Sequence, residues 1–107
     1  MKTDFEFITT PEVCQALGAR LRAQRLAQNL QQAELAQKAG VSKLTVLKLE
    51  NKGLVTFHSF IQVVRALGLL DELTEIFTLQ SKSIAMMEAA DAAAKRVRAS
   101  ARKKPAA

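Results

Sequence analysis

Residues 31–50 read QQAELAQKAGVSKLTVLKLE, and this stretch decides the fold. Two short apolar-periodic segments flank the hinge AGVS, residues 39–42. The first predicts a helix from about Gln32 to Ala39, with Ala33, Leu35, Ala36 and Ala39 forming a small-residue face. Gly40 ends it, because glycine takes the left-handed cap conformation without a Cβ clash. Ser42 caps the next helix, about Lys43 to Glu50, which Asn51-Lys52-Gly53 stops. A turn this tight makes the two helices cross steeply rather than run back along each other. Leu35 and Ala36 then face Val46 and Leu49, with Val41 plugging the corner.

The rest of the chain reads outward from that pair. A first helix is predicted over about residues 11–28, with Thr10 as cap, Pro11 at its start and Glu12 at its positive end. Val13, Leu17 and Leu21, with Ala16 adjoining, make its core stripe. Thr56 caps a fourth helix, about Phe57 to Leu67, closed by Gly68. Asp71 caps a fifth, about Glu72 to Phe77, with Leu73, Ile76 and Phe77 apolar. Before the first helix, FEFI alternates apolar and polar residues, as a short pairing strand or an ordered arm does. The expected organisation is an arm over 1–10, a helical domain over 11–79 and an extension over 80–107. That extension opens with a linker, QSKS, and continues through an alanine-rich stretch into a basic tail, partly helical or disordered.

Composition excludes several classes. The 107 residues suffice for one small domain, and 49% apolar with 24% charged residues is a globular balance. No apolar run reaches membrane-span length, and MKTDFEF lacks a secretory signal pattern, so the expected location is cytoplasmic, at the nucleoid. Cys14 is alone, which excludes an intrachain disulfide, and it reads as a small buried hydrophobe. His58, without a second histidine, reads as a surface or phosphate-neighbouring residue rather than a metal ligand. No nucleophile or carboxylate pair stands at a suggestive distance from a histidine base. A non-enzyme without cofactor or metal is expected.

Charge is unevenly distributed. The net charge is +6, yet residues 1–80 hold nine Lys/Arg against eight Asp/Glu, and residues 81–107 hold seven against two. Lys95, Arg96, Arg98, Arg102, Lys103 and Lys104 form the basic tail, read either as a solvated end or as added phosphate contacts. Met86 and Met87 read as tail packing or a partner surface.

If Val46 and Leu49 turn inward, the other face of that helix is free. Ser42, Lys43, Leu44 and Thr45 crowd its first turn, with Lys48 and Lys52 further along. Such a face suits the major groove: lysine donates to guanine O6 or N7, threonine reaches base edges or a phosphate, and leucine packs on a thymine methyl. Gln31 and Gln32 open the preceding helix, where amides and free N–H groups suit a phosphate oxygen. A protein-interaction module of the same geometry, its lysines merely solvated and its basic tail binding nucleic acid non-specifically, is the competing reading.

At these residues the sequence resembles a known family. QAELAQKAGVS followed by LTVLKLENKG is similar to the helix-turn-helix of the Xre/phage-repressor family, over about residues 12–77. Gln32, Ala36, Gly40, Val41, Ser42, Thr45 and Glu50 carry the likeness. It implies an all-α, five-helix, lambda-repressor-like DNA-binding domain. It also implies a phosphate grip at Gln32, base-facing residues at Lys43, Leu44 and Lys48, and an ion pair between Arg25 and Glu50. Leu44 and Leu47 depart from the polar residue types usual there. Within the family, the run from LGARLRAQR to LVTFHSFIQVVRALGLLDELTEIF resembles the HipB-type antitoxins. That likeness implies a homodimeric repressor of its own operon that binds double-stranded operator DNA and a HipA-like kinase toxin. A stand-alone regulator without toxin remains the alternative. Leu69, Leu70, Leu73 and Phe77 exceed what a small core needs and are the expected dimer interface.

Overall fold

The computed structural model describes residues 4–79, 88 and 91–97. All regular structure among them is helical: a helical segment over 91–97 and, within residues 4–79, four α-helices and two 3-10 helices. They are α1 (Thr10–Ala27), α2 (Gln32–Ala39), α3 (Lys43–Lys52) and α4 (Phe57–Ala66), with 3-10 turns at Phe5–Phe7 and Leu70–Leu73. The all-α class is as expected, and α2 has the predicted bounds. α3 runs two residues past the expected Glu50, to Lys52.

Several expectations are corrected. FEFI is not a strand: Phe5–Phe7 is a 3-10 turn capped by Asp4, and the Arg20 guanidinium stands 4.9 Å from the Phe5 ring centre. The cap of α1 is Thr9, not Thr10. Thr9 Oγ1 accepts the Glu12 N–H at 3.3 Å, while the Glu12 carboxylate accepts the Thr9 N–H and O–H at 3.1 and 2.8 Å. These bonds hold the Glu12 pKa below its ordinary value. Their contribution is therefore present at neutral pH and lost in acid, as Glu12 protonates.

The fifth helix is not an α-helix over Glu72–Phe77. It is the 3-10 turn Leu70–Leu73, closed by bonds of the Glu72 N–H to Leu69 O (3.0 Å) and the Thr74 N–H to Asp71 O (3.3 Å). Asp71 lies inside this turn and caps nothing. The expected small-residue face of α2 loses Ala33, which is exposed, because it lies nearly opposite Leu35 around the helix. Cys14, Val13 and Leu17 are half-buried rather than buried.

Three helices end the same way. At α1, α2 and α4 the residues Asn29, Gly40 and Gly68 take positive φ. The next residue then donates back into the helix: Leu30 to Arg25 O at 3.2 Å, Val41 to Ala36 O at 3.0 Å, Leu69 to Val64 O at 3.0 Å. This Schellman geometry drives an apolar side chain under the helix end, and Leu30, Val41 and Leu69 all pack against the core. That core consists of Leu21, Leu35, Ala36, Ala39, Val46, Leu49, Val63, Val64 and Leu67. Leu35, Val46, Leu49 and Val63 are its fully enclosed members, each stabilising by about 1.5–3 kcal/mol relative to exposure.

α3 is held mainly against α1, and two glycines allow that approach. A Cβ on Gly18 would lie 2.0 Å from Leu49 O, and one on Gly53 would lie 2.2 Å from Cys14 O. Gln15 Nε2 also donates to Asn51 O at 3.5 Å. At the other end of α1, Arg25 and Glu50 form a buried pair. Arg25 Nε donates to Glu50 Oε2 at 2.6 Å, Nη2 to Oε1 at 2.9 Å, and Nη1 to Leu30 O at 2.7 Å. Gln32 Nε2 adds a bond to Glu50 Oε1 at 3.2 Å. The hydrogen bonds to Glu50 raise the Arg25 pKa above its ordinary value against the opposing effect of burial, so the guanidinium stays charged throughout the range where the fold exists.

The chain divides into two compact units, Met1–Thr74 and Glu75–Ala107. In the second, Phe77 has a φ of 60° and is 97% exposed. Residues 91–97 are helical, and Lys95 pairs with Asp91 at 3.1 Å, one turn away. Met86, Met87, Arg98, Arg102, Lys103, Lys104 and the whole of the expected linker lie outside the described residues.

Two predictions concern this frame. Gly18→Ala gains about 1 kcal/mol of helix propensity. It loses more to the collision with Leu49, about 3 kcal/mol or beyond; thermal unfolding should fall by about 8 °C or more. Arg25→Met should cost about 3–5 kcal/mol by leaving Glu50 buried and unpaired, and adding Glu50→Leu should recover most of it in urea titration.

Candidate nucleic-acid interface

The orientation of α3 follows from what it buries. Val46, Leu49 and Glu50 point inward, Glu50 with only 5% of its surface exposed. The opposite face therefore carries Leu44, Leu47, Lys48 and Asn51, spaced i, i+3, i+4 and i+7 along one stripe. All four are exposed, and so are Lys43 and Lys52 at its flanks.

Ser42 and Thr45 serve the helix start. Ser42 Oγ accepts the Thr45 N–H at 3.0 Å and lies 2.9 Å from Thr45 Oγ1. The two hydroxyls are thus partnered with each other, and Thr45 is half-buried.

Lys43 borders a polar depression of about 420 Å³ that Arg22, Arg25, Gln31, Gln32 and Ala33 also line. It lies at the start of α2, where the helix dipole adds partial positive charge. The Gln31 N–H is occupied by Glu34 Oε1 at 3.0 Å. The N–H groups of Gln32 and Ala33 have no protein acceptor among the described residues. Gln32 Nε2 uses one proton on Glu50 and keeps another. Arg22 was not singled out from the sequence. Its signal was its position three residues before Arg25, which turns both toward the same side of α1. Gly18 was missed as well, because only the nearness of the Leu49 carbonyl gives it a role.

Farther along, Leu47, Lys48, Asn51, Lys52 and Leu54 surround a second depression of about 310 Å³. Leu54 is 61% exposed although it follows the left-handed cap Gly53. It is the one residue after such a helix end that does not return to the core. The Gly53 N–H bonds to Leu49 O and Lys48 O instead.

Charge is unevenly distributed within the first unit as well. Between residues 13 and 70 the acidic residues are Glu34 and Glu50, the latter buried and paired. Over the same span stand Arg20, Arg22, Arg25, Lys38, Lys43, Lys48, Lys52 and Arg65. The first unit's other carboxylates, Asp4, Glu6, Glu12, Asp71 and Glu72, lie at its ends. A domain of nearly neutral total therefore carries a basic excess across its helices, with three exposed lysines on α3.

The expected dimer residues are only partly spent. Leu69, Leu70 and Leu73 are half-buried against the core. Leu69 and Leu73 also line a groove of about 350 Å³ with Leu17, Leu21, Phe60 and Val64. His58 is exposed in the first turn of α4. Among the described residues no group of three or more His, Cys, Asp or Glu is placed to hold a metal. None of the helices described is long and apolar enough to cross a membrane.

No curated protein matches this chain. A family model described as HTH_3, helix-turn-helix, matches residues 21–72, from midway along α1 to the turn at Leu70–Leu73, so over that segment the chain is similar to the helix-turn-helix of this family.

Proposed function

We propose that the chain is a sequence-specific transcriptional repressor that binds double-stranded operator DNA with α3 in the major groove. The observation that carries this reading is the free face of α3, with Lys43, Lys48 and Lys52 exposed while its only carboxylate is buried in a pair. Lys43 and Lys48 reach guanine edges or the flanking phosphates. Gln31, Gln32 and Arg22 hold a phosphate at the start of α2, through the amide protons that Glu50 leaves free and the helix N–H groups. Ser42 and Thr45 orient the first turn of α3, and Thr45 meets the DNA at its margin. Arg25 and Glu50 touch no base; they fix the angle at which α3 leaves the domain.

The repressor acts as a homodimer. Leu69, Leu70, Leu73 and Phe77 form the interface, and the recognition helices then stand about one DNA turn apart on a roughly palindromic operator. Repression follows from occupying the promoter. Lys95, Arg96 and the basic residues after them add phosphate contacts that raise affinity without reading sequence. The likeness to HipB-type antitoxins, carried by LGARLRAQR and the run from Leu54 to Phe77, favours a finer role. In it the protein represses its own operon and binds a HipA-like kinase toxin. A kinase-like reading frame beside this one and a kinase co-purifying with the protein would support that role; a lone gene and a protein that purifies alone would leave a stand-alone regulator.

Lys43→Ala with Lys48→Ala should lower affinity for a selected duplex at least about tenfold and leave thermal unfolding unchanged, since both side chains are exposed. Undiminished binding by that variant, measured by fluorescence anisotropy, would remove α3 from the interface. Deleting residues 81–107 should weaken binding to all duplexes alike and flatten the dependence of log K on log salt by about 0.9 per lost phosphate contact. An unchanged slope would leave the tail solvated and idle.

A further inference from the structure

The stripe meant to meet bases is led by leucines. Leu44, at the middle of the outward face, is 57% exposed, and Leu47 one turn on is 38% exposed. Neither belongs to the core or packs at its margin, so the monomer does not explain them. Leu54 extends the apolar patch, sharing the depression beside Leu47 with Lys48 and Lys52. An apolar patch enclosed by lysines fits a surface that is apolar at its centre and anionic at its edges. The major groove has that character where pyrimidine C5 methyl groups line its floor between two phosphate ridges. A protein partner with apolar contacts alone would leave Lys43, Lys48 and Lys52 uncompensated.

We infer that this protein selects its DNA by contact of Leu44 and Leu47 with C5 methyl groups of pyrimidines in the major groove. Thymine and 5-methylcytosine both present that group, and the shared methyl is what the leucines recognise. The lysines on either side set affinity and register through phosphates and neighbouring guanines. Discrimination then comes from burying methyl surface, and each methyl that reaches a leucine changes affinity about fourfold. This inference rests on the proposed placement of α3 in the groove.

The test uses the full-length chain and duplex pools of random sequence, enriched in parallel with thymidine and with deoxyuridine. Deoxyuridine keeps every hydrogen-bonding group of thymidine and lacks only the methyl. Enrichment in the thymidine pool should favour thymine at positions under α3, and the winning duplex remade with deoxyuridine there should bind several-fold more weakly. Leu44→Ala with Leu47→Ala should bind the two duplexes equally while unfolding at the wild-type temperature. A third pool, with deoxyuridine and 5-methylcytosine, separates the sources. Enrichment of methylcytosine there shows that the methyl alone suffices, and its failure beside a thymidine effect shows that thymine itself is the ligand. Wild-type protein indifferent to deoxyuridine overturns the methyl reading and leaves a DNA-binding protein standing. A protein that enriches nothing in any pool overturns both readings. Leucine variants that change the oligomeric state but not the selected sequence overturn the inference and give the patch to protein contact.

Discussion

The ion pair between Arg25 and Glu50 governs what the rest of the molecule presents. Arg25 sits near the end of α1 and Glu50 in the third turn of α3, and both are almost fully buried. Each of the three guanidinium nitrogens donates once, two to the carboxylate and one to the carbonyl of Leu30 in the turn before α2. Gln32 closes the network from the start of α2. One charged plane therefore ties three helices and a turn. Such a pair is a poor source of net stability, because two ions lose their hydration. Its value is geometric: with the carboxylate seated, α3 has one rotational setting about its axis. That setting buries Val46 and Leu49 and leaves Leu44, Leu47 and Lys48 outside.

The glycines complete the constraint. Gly18 and Gly53 let the backbone of α1 and α3 come into contact at two places, at Leu49 and at the C-terminal cap of α3. Side chains of any size there would push α3 outward and break the alignment of the buried pair. Rigidity at this crossing would serve the proposed reading surface, since base edges are recognised at hydrogen-bond and van der Waals range. By contrast, the face that meets solvent has no such support and no such crowding. The same element is thus over-determined on one side and open on the other.

Electrostatics and apolar exposure point to that open side together. A domain with nearly balanced charge would attract a polyanion weakly if its ions were mixed. Here five of the unit's seven carboxylates lie near the ends of its sequence, Glu50 is neutralised by Arg25, and Glu34 on α2 is the remaining one. The lysines of α3 are left without a competing negative charge on their own helix. Between them lie leucines that the core does not use. In the proposed complex, charge would set where a duplex approaches, and the leucines would set what kind of contact forms once it has arrived.

Much of this was legible in the residues alone. Alanine and leucine spacing, Gly40 and the cap at Ser42 determine α2, the turn and the start of α3, because these signals act over one helical turn and need no partner. Membership of Arg25 and Glu50 in one pair was implied by family resemblance, not by local pattern. The fifth helix was misread because Leu69, Leu70, Leu73, Ile76 and Phe77 suit either a helix or a turn, and Asp71 resembles a cap. Only the Schellman end of α4, which plants Leu69 in the core, sets the chain into a tight 3-10 turn there. Thr9 prevailed over Thr10 because Glu12 reaches back to it, a choice between adjacent equivalents that composition cannot make. The role of Gly18 and the nearness of Arg22 to Gln32 and Lys43 were likewise absent from the string of letters. Sequence by itself determined the four α-helices and where most of them stop, since those are local preferences. Tertiary structure decided which side chains meet and which face of α3 stays free, because contacts between distant helices depend on how backbones approach in space.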